Sequence, residues 1–367
     1  MNTDVLVIGG GPAGLAAAIT AKEFGVKVIV VDESPIAGGQ LIKQTHKFFG
    51  AKQHFCGVRG IDIATLLLNR VNELGVQILS NASAVGIYNE MNVTSNREWV
   101  VGITTDEKLM KVNPIRIIVA TGAQENILNF ENNDLPGIYG AGAVQTLVNV
   151  YGVMIGDKVL MVGSGNIGLI VSYQLMQAGI GVVGILEAIP KIGGYIVHAS
   201  KVRRLGIPIY VSHTIKEAIG TDCVKGAIIV KLDENWNEIP GTERKIGCDV
   251  ISLAVGLTPS AELLHQAGCK MVYIPELGGY VAWHNKYMQT SIPEFYVVGD
   301  SSGIEEAVTA ILEGRIAGAA CGYEITGAKR AKEIIQQSIE ELAEFRDGPF
   351  SEKAIIGKKK LASLILS

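Results

Sequence analysis

Val5-Leu-Val-Ile-Gly-Gly-Gly-Pro-Ala-Gly14 is the stretch of sequence on which the fold depends. Residues 5–8 are apolar and predict a buried parallel strand, because both faces of such a strand are covered by other elements. Gly9, Gly11 and Gly14 then have the spacing G-x-G-x-x-G. This spacing permits a tight turn, a close approach of a pyrophosphate to the backbone and close packing of the next helix on the strand. The apolar run 15–24 predicts that helix, whose N-terminal amides favour an anion.

A second predicted strand, at 26–31, ends in Asp32. An acid at this place accepts hydrogen bonds from a ribose, so the first segment predicts a site for an adenine dinucleotide. The alternative is a glycine-rich turn that binds nothing, but the strand before it, the helix after it and the acid together favour the nucleotide. The loop that follows contains Pro35 and Gly38-Gly39, and its glycines would let the backbone approach a flat ring system.

Composition and charge narrow the class of protein. The 367 residues are 48% hydrophobic and include 44 glycines, which is typical of an α/β protein, and the length predicts two domains. The formal net charge of −4 gives no indication of nucleic acid or of an anionic membrane as a partner. No basic leader and no run of about 20 apolar residues is found, which predicts a cytoplasmic protein. The five cysteines form no C-x-x-C pair, so neither a metal site nor a disulfide relay is predicted.

The glycine motif occurs a second time. A predicted strand leads into Gly163-Ser-Gly-Asn-Ile-Gly168, a helix follows, and the next strand ends in Glu187. Gly168 and Glu187 are 19 positions apart, and Gly14 and Asp32 are 18 positions apart, so two units of similar size are predicted. A carboxylate at Glu187 favours the ribose 2′-hydroxyl of NAD over the 2′-phosphate of NADP. The basic residues that follow it leave NADP open.

Two more strand ends complete the pattern. A predicted strand at 115–120 ends in Ala120-Thr-Gly122, and Phe295-Tyr-Val-Val-Gly-Asp300 is predicted to be a buried strand that ends in an acid. Together with the two glycine motifs, these signals resemble the two-dinucleotide-binding-domain FAD/NAD(P) oxidoreductases, which include the glutathione and thioredoxin reductases. The resemblance implies an α/β fold with two Rossmann-like domains of the glutathione-reductase type. Its implied boundaries are an FAD domain at 1–123 and 256–327, a nucleotide domain at 124–255, and a C-terminal helix and a solvated or partner-facing tail at 328–367.

The resemblance also implies which residues bind the two nucleotides. Residues expected to contact FAD are Gly9, Gly11, Pro12, Ala13, Gly14, Asp32, Glu33, Gly39, Gln40, Ala120, Thr121, Gly122, Gly299 and Asp300. Residues expected to contact NAD, or alternatively NADP or ATP, are Gly163, Gly165, Asn166, Ile167, Gly168 and Glu187. No acid–base residue is singled out. His46 and His54, in the loop region nearest the expected flavin, are interpreted as structural, and Cys56 as incidental, with a sulfenic acid at Cys56 as the alternative.

Several local runs narrow the resemblance to one branch. They are similar to segments in the α subunits of heteromeric sarcosine oxidase, proline or hydroxyproline dehydrogenase, opine dehydrogenase and hydrogen cyanide synthase. The runs are Asp134-Leu-Pro-Gly-Ile-Tyr-Gly-Ala-Gly-Ala-Val-Gln145, Glu187-Ala-Ile-Pro190, Gly193-Gly-Tyr195, 198–208 and 256–263. In those complexes a separate β subunit with its own flavin oxidises the amine, and many α-type subunits continue into a cysteine-rich [2Fe–2S] domain. This sequence has no such cysteine cluster, so the resemblance implies a partner flavoprotein of amine-oxidase type and a separate [2Fe–2S] protein.

The implied function is electron transfer. The chain is expected to be an FAD-binding subunit of a multi-subunit amine or amino-acid dehydrogenase, relaying electrons between the partner flavin and NAD or another acceptor. The alternative is a self-sufficient NADH-dependent flavin oxidoreductase, acting as an NADH oxidase or peroxidase or as a carrier reductase. A third hypothesis is a structural partner whose nucleotides only stabilise the assembly.

Overall fold

The chain divides into two units. A computed structural model describes residues 1–91, 97–348 and 351–364. Unit 1 consists of Met1–Ile42, Phe49–Gln124 and Thr258–Ser367, and unit 2 consists of Lys43–Phe48 and Glu125–Leu257. The nucleotide domain expected at 124–255 thus corresponds to most of unit 2, with one additional segment. The C-terminal region from 328 onward belongs to unit 1.

Each unit combines strand–helix–strand segments with runs of consecutive strands. The described strands are β1 (Asn2–Ile8), β2 (Val28–Val31), β3 (Gln77–Leu79), β4 (Ala82–Met91), β5 (Arg97–Thr105), β6 (Leu109–Val119), β7 (Ala123–Glu125), β8 (Ile138–Gly140), β9 (Lys158–Val162), β10 (Gly181–Glu187), β11 (Ile209–Val211), β12 (His213–Gly220), β13 (Val224–Lys231), β14 (Arg244–Ile246), β15 (Val250–Leu253), β16 (Leu257–Pro259), β17 (Met271–Ile274), β18 (Gly279–Ala282) and β19 (Phe295–Val297). The described α-helices are α1 (Pro12–Lys22), α2 (Gly60–Glu73), α3 (Ala141–Gln145), α4 (Asn166–Gln177), α5 (Ile196–Arg204), α6 (Glu262–Gln266), α7 (Ala307–Thr326), α8 (Arg330–Arg346) and α9 (Glu352–Ser363). Within the described ranges, no helix combines the length and the apolar character needed to cross a bilayer.

Unit 1 is built on a seven-stranded sheet in the order β3-β2-β1-β6-β5-β4, with β19 paired to β6. The middle strand β1 pairs in parallel with β2 and β6, which places Leu6 opposite Ile29 and Ile117. All three side chains are buried, as expected for a strand covered on both faces.

One strand of this sheet differs from the sequence-based expectation. The sequence predicts a buried strand at 115–120, but β6 begins earlier, at Leu109, and ends at Val119. Its first part pairs antiparallel with β5, and from Asn113 onward it pairs in parallel with β1. Pro114 lies just after the change of partner, where the missing N–H of proline interrupts neither ladder.

Unit 2 contains a five-stranded sheet in the order β11-β10-β9-β15-β8 and an antiparallel sheet in the order β12-β13-β14. The five-stranded sheet is parallel throughout. Met161 of β9, Leu169 of α4 and Ile185 of β10 are fully buried in one core on a face of this sheet. The predicted α/β class with two Rossmann-like units is therefore confirmed.

The segment Lys43–Phe48 lies in unit 2, although its position in the sequence led to its assignment to the FAD domain. Several polar contacts hold it there. Lys43 Nζ donates to the carbonyl oxygen of Gly142 at 3.0 Å, and Asn149 Nδ2 donates to the carbonyl oxygen of Lys43 at 2.8 Å. Gln174 Nε2 donates to Thr45 Oγ1 at 2.9 Å. Side-chain amides from distant parts of the chain thus decide where this segment lies.

The C-terminal helices pack on unit 1. Helix α7 lies close against α1, and Gly314 and Gly318 allow this approach. A Cβ at either position would clash with the carbonyl oxygen of Ala13 or of Ala17. Leu361 of α9 is buried against the β17–β18 hairpin region, in a cluster with Ile274, Leu277 and Val281. The expected solvated or partner-facing tail therefore includes a helix that covers its own unit.

Candidate nucleotide sites

The first glycine motif forms a turn between β1 and α1. Gly9 has φ 105°, and a Cβ there would clash with the carbonyl oxygen of Ala120. A Cβ at Gly14 would clash with the carbonyl oxygen of Gly9. At Gly11, the N-cap of α1, the nearest atom to such a Cβ is the Gly39 Cα at 3.8 Å. Two of the three glycines thus allow close backbone packing, whereas Gly11 leaves open space in front of the helix N-terminus, where an anion is favoured.

Asp32 braces this turn. The residue is 8% exposed, and its Oδ2 accepts a hydrogen bond from the Gly10 N–H at 2.6 Å while Oδ1 accepts one from the Ser34 N–H at 2.8 Å. Both carboxylate oxygens therefore bind backbone. Glu33, the next residue, is exposed. The sequence predicts a ribose contact for Asp32 and an FAD contact for Glu33. In the structure both oxygens of Asp32 bind the turn, and Glu33 is the exposed acid beside it.

The loop after Asp32 returns to the same turn. The Gly38 N–H donates to the carbonyl oxygen of Gly10 at 2.7 Å. A Cβ at Gly39 would lie 2.7 Å from the Gly11 Cα, so only glycine permits this approach. Gln40 follows in the 3₁₀ turn Gly39–Lys43 and is exposed. The structure thus brings the 38–40 loop to the edge of the open space at Gly11.

Other predicted residues gather at the same edge of the sheet. Pro12 and Ala13 form the first turn of α1, and a Cβ at Gly299 would lie 2.9 Å from the Ala13 Cβ. Thr121 Oγ1 donates to the carbonyl oxygen of Ser260 at 2.5 Å, and the Ser260 N–H donates to the carbonyl oxygen of Gly122 at 2.9 Å. Strands β1, β6 and β19 are parallel, and the carboxyl ends of parallel strands meet at one edge, so the turns that follow these three strands lie at the same edge of the sheet.

Asp300 lies in the 3₁₀ turn Gly299–Ser302 that follows β19. Burial and the charges of Glu313, Glu305 and Glu306 together raise the pKa of its carboxyl to about 7, against a hydrogen bond from the Glu305 N–H that lowers it. That hydrogen bond is long, at 3.5 Å. A half-buried carboxyl of this kind gains from a ligand hydroxyl that donates to it. With the open space at Gly11 and the exposed Glu33, this acceptor fits the pyrophosphate, ribose and ribityl groups of FAD.

The second glycine motif repeats the geometry of the first. Gly163 has φ 108°, and a Cβ there would clash with the carbonyl oxygen of Ala254. A Cβ at Gly168 would clash with the carbonyl oxygen of Gly163, whereas one at Gly165, the N-cap of α4, would meet nothing within 4 Å. Asn166 and Ile167 form the first turn of α4. Unit 2 therefore has a second open helix N-terminus that suits a phosphate group.

Glu187 braces the second turn as Asp32 braces the first. Oε2 accepts from the Ser164 N–H at 3.0 Å and from the Ser164 hydroxyl at 2.6 Å, and Oε1 accepts from the Ile189 N–H at 3.2 Å. The Gly194 N–H donates to the carbonyl oxygen of Ser164 at 2.8 Å, which matches the contact between Gly38 and Gly10. The residue after Glu187 is Ala188, where unit 1 has Glu33. Both oxygens of Glu187 thus have hydrogen-bond partners within the protein. The sequence predicts only that Glu187 selects NAD, and these contacts were not expected.

The surroundings of the histidines and cysteines do not indicate a catalytic role. The His46 and His198 rings lie 6.0 Å apart, within unit 2, and burial lowers the pKa of each to about 4. His46, in the loop region expected nearest the flavin, is part of unit 2. All five cysteines are free thiols, and burial raises the pKa of Cys248 to about 12. In the described part of the chain, no group of three or more histidine, cysteine or acidic side chains is placed to hold a metal ion.

Comparison with known proteins agrees with this geometry. Residues 3–314 match the family model described as pyridine nucleotide-disulphide oxidoreductase. The opine oxidase A protein from Agrobacterium tumefaciens (strain Ach5), a subunit of that oxidase, is 26% identical over 326 residues, which cover 86% of this chain and 64% of that protein. The alpha subunit of sarcosine oxidase from Corynebacterium sp. (strain P-1) is 27% identical over 349 residues, covering 92% of this chain and 34% of that protein.

A solved structure supports the fold. T. acidophilum thioredoxin reductase superimposes with a TM-score of 0.72 at 20% identity, covering 89% of this chain and 99% of that chain. By contrast, the chain spans less than two thirds of the length of the opine and sarcosine oxidase subunits. The match to the family model covers both glycine motifs and the Gly299-Asp300 turn. The chain therefore belongs to the pyridine nucleotide-disulphide oxidoreductase family, a family of FAD-dependent oxidoreductases.

Proposed function

We propose that this chain is the FAD-binding electron-transfer subunit of a multi-subunit enzyme that oxidises an amine or an amino acid. The observation that carries the proposal is the glycine cradle of unit 1, with open space at Gly11 and a half-buried acceptor at Asp300. The similar proteins are named as subunits of opine oxidase and sarcosine oxidase, which supports a role as one subunit of an oxidising complex.

The residues of unit 1 have separable roles in this proposal. The backbone at Gly11 and the N-terminus of α1 bind the pyrophosphate, and Glu33 accepts hydrogen bonds from the adenosine ribose. Asp300 accepts a hydrogen bond from the ribityl chain. Asp32 keeps the turn in shape by binding the amides of Gly10 and Ser34. Bound FAD supplies the electron transfer itself, and the chain binds and orients it.

Thiol chemistry has little support in this chain. A dithiol relay requires two sulfurs within bonding distance, and the sequence contains no C-x-x-C pair. The exposed Cys56 lacks a second cysteine nearby in sequence, and Cys248, Cys269 and Cys321 are buried. Because the thiolate is the reactive form, the raised pKa of these buried thiols makes them poor nucleophiles. The absence of the pair favours a substrate site on a partner protein over disulfide reduction.

The glycine turn of unit 2 favours a second candidate function. A nucleotide site with an open N-cap at Gly165 would let NADH deliver electrons directly, making the chain a self-sufficient NADH-dependent flavin oxidoreductase. We propose NAD as the ligand of unit 2. NADP and ATP stay open, because Glu187 binds its own turn and Ala188 provides no carboxylate.

Anaerobic mixing separates the two functions. Purified chain that contains FAD is mixed with NADH, and with sarcosine, proline or an opine, while the visible absorbance of the flavin is followed. The proposal predicts that the amines leave the flavin oxidised unless a second flavoprotein subunit is present. Rapid bleaching of the flavin by NADH, followed by steady turnover once oxygen or peroxide is added, would favour the self-sufficient enzyme. Amine-dependent bleaching of the isolated chain would contradict the proposal.

A further inference from the structure

Two cations from the C-terminal helices reach the interior of unit 1. Arg346, at the end of α8, binds Glu305 through two hydrogen bonds of 2.6 and 2.8 Å and Glu313 through one of 2.6 Å. Lys358 of α9 donates to Glu313 Oε1 at 3.0 Å. The two cationic side chains are 18% and 13% exposed, and the Glu313 side chain is 2% exposed. These are buried ion pairs, in contrast to the exposed pairs elsewhere on the surface, which contribute little.

Glu313 links these cations to the turn that carries Asp300. Its Oε2 accepts hydrogen bonds from the Gly299 N–H at 2.9 Å and from the Ser302 hydroxyl at 2.8 Å. Lys358 also binds the turn directly, donating to the Ser302 carbonyl oxygen at 3.1 Å and to its hydroxyl oxygen at 2.9 Å. All of these residues belong to unit 1. The first and last residues of the Gly299–Ser302 turn are thus fixed by one carboxylate and one ammonium group.

The two cations keep Glu313 ionised, which lets it accept the hydrogen bonds from the turn. Burial alone would raise the pKa of Glu313, but Lys358, Arg346, His284 and the Ser302 hydroxyl hold it below its usual range. An ionised carboxylate accepts both hydrogen bonds from the turn, whereas a protonated one loses acceptor capacity. Without a cation, an ionised Glu313 would be a buried charge lacking compensation, which is strongly unfavourable. The C-terminal helices are therefore connected electrostatically to the turn.

We propose that Lys358 and Arg346 are positioning residues of the FAD site, which act through Glu313 to hold the Gly299–Ser302 turn and so to aim Asp300 at the ribityl part of FAD. This inference rests on the proposed assignment of FAD to unit 1. It gives the C-terminal segment, expected to be a solvated or partner-facing tail, a role inside the cofactor site. The geometry carries it, because the contacts run without a break from α9 through Glu313 to Gly299.

The test compares two lysines of the same helix. Lys358→Met removes the contact with Glu313, and Lys360→Met removes an ion pair with Glu276 in which the Lys360 side chain is 55% exposed. FAD dissociation constants are measured on the FAD-free full chain, together with the visible circular dichroism of bound flavin. We expect Lys358→Met to weaken FAD binding by about tenfold and to change the flavin spectrum, while Lys360→Met stays within about twofold of wild type. Lys358→Arg, which keeps the charge, is expected to restore most of the affinity.

Two further measurements keep the inference falsifiable. In an Asp300→Asn background, Lys358→Met is expected to lose most of its effect on FAD affinity, because the two side chains act in series. If Lys358→Met does not fold, the double variant Glu313→Gln with Lys358→Met removes one charge of each sign and is expected to fold yet bind FAD weakly. Wild-type FAD affinity and an unchanged flavin spectrum in Lys358→Met, or in the double variant with Glu313→Gln, would overturn the inference. Wild-type chain that binds no FAD would overturn the proposed function, and the inference with it.

Discussion

Replacing Gly11 by alanine separates the FAD site from the fold. In the structure, a Cβ at Gly11 would lie 3.8 Å from the Gly39 Cα, an ordinary van der Waals distance. The N-cap backbone has φ −75° and ψ −174°, which alanine adopts without strain. The loss of chain entropy in the unfolded state favours alanine by about 0.4–1 kcal/mol, and the weaker N-cap preference of alanine offsets a similar amount. We therefore expect the unfolding free energy of the FAD-free Gly11→Ala variant to change by less than about 0.5 kcal/mol.

The effect on FAD is expected to be large. The new methyl group occupies the open space in front of the N-terminus of α1, where the pyrophosphate approaches the backbone. Losing one charge-assisted hydrogen bond to a phosphate costs about 1.5–3 kcal/mol, which corresponds to a loss of affinity of about 10- to 150-fold. Urea unfolding of the FAD-free protein and a fluorescence titration with FAD measure the two quantities separately. Gly11→Val extends the same test with a larger side chain, and the purified variant is expected to lack flavin colour.

Matched variants give the controls for Gly11→Ala. Gly14→Ala is expected to destabilise the fold itself by several kcal/mol, on the order of 3, because its Cβ clashes with the Gly9 carbonyl oxygen. Gly165→Ala makes the same change as Gly11→Ala in unit 2, and it is expected to leave FAD affinity unchanged while weakening the second nucleotide. If Gly11→Ala bound FAD within about twofold of wild type, the pyrophosphate would not lie at Gly11 and the site assignment would be refuted.

Three further predictions concern the acids of the two sites. Glu33→Gln is expected to weaken FAD binding by about threefold to tenfold and to leave the unfolding free energy unchanged. Asp32→Asn is expected to lower the unfolding free energy by about 1–3 kcal/mol. An unchanged urea midpoint for Asp32→Asn would show that Asp32 does not stabilise the turn. Burial and three neighbouring glutamates raise the pKa of Asp300 to about 7, so its ionisation opposes folding. Asp300→Asn without FAD should therefore be more stable than wild type, by on the order of 2 kcal/mol above pH 7, with the difference closing toward pH 4, as urea unfolding across that range measures. Ala188→Glu places a carboxylate where unit 1 has Glu33. In paired titrations the affinity for NADPH should fall by about tenfold relative to the affinity for NADH. Equal changes in the two affinities would contradict a role of residue 188 in selecting the nucleotide.

The glycine turns were predictable because their signals are local. The spacing of Gly9, Gly11 and Gly14, the preceding apolar run and the following acid all lie within one strand–turn–helix–strand unit. Its second occurrence at Gly163 made the two-unit architecture visible as well. Sequence alone did not separate Asp32, which binds its own turn, from the exposed Glu33, because both are acids at the same strand end.

Features that depend on distant partners were missed. Lys43–Phe48 follows the FAD loop in sequence, but amides such as Gln174 and Asn149 hold it in unit 2. Arg346 and Lys358 lie in the segment expected to be a C-terminal helix and a solvated or partner-facing tail, and nothing local indicates that a buried glutamate lies beneath them. Glu313 itself gave a usable signal, because it is an acid within the otherwise apolar, glycine-rich face of α7. A buried acid of this kind requires cations from elsewhere in the chain.

The proposed role of this chain is to carry FAD as one subunit of an amine-oxidising complex. The most direct measurement is the anaerobic reduction of its flavin by an amine or amino acid, recorded for the isolated chain and again after it is combined with a candidate flavoprotein of amine-oxidase type. We predict stoichiometric FAD in the isolated chain, no reduction by the amine, and rapid reduction once the second flavoprotein is present. Full amine-dependent reduction and turnover by the isolated chain would contradict this role.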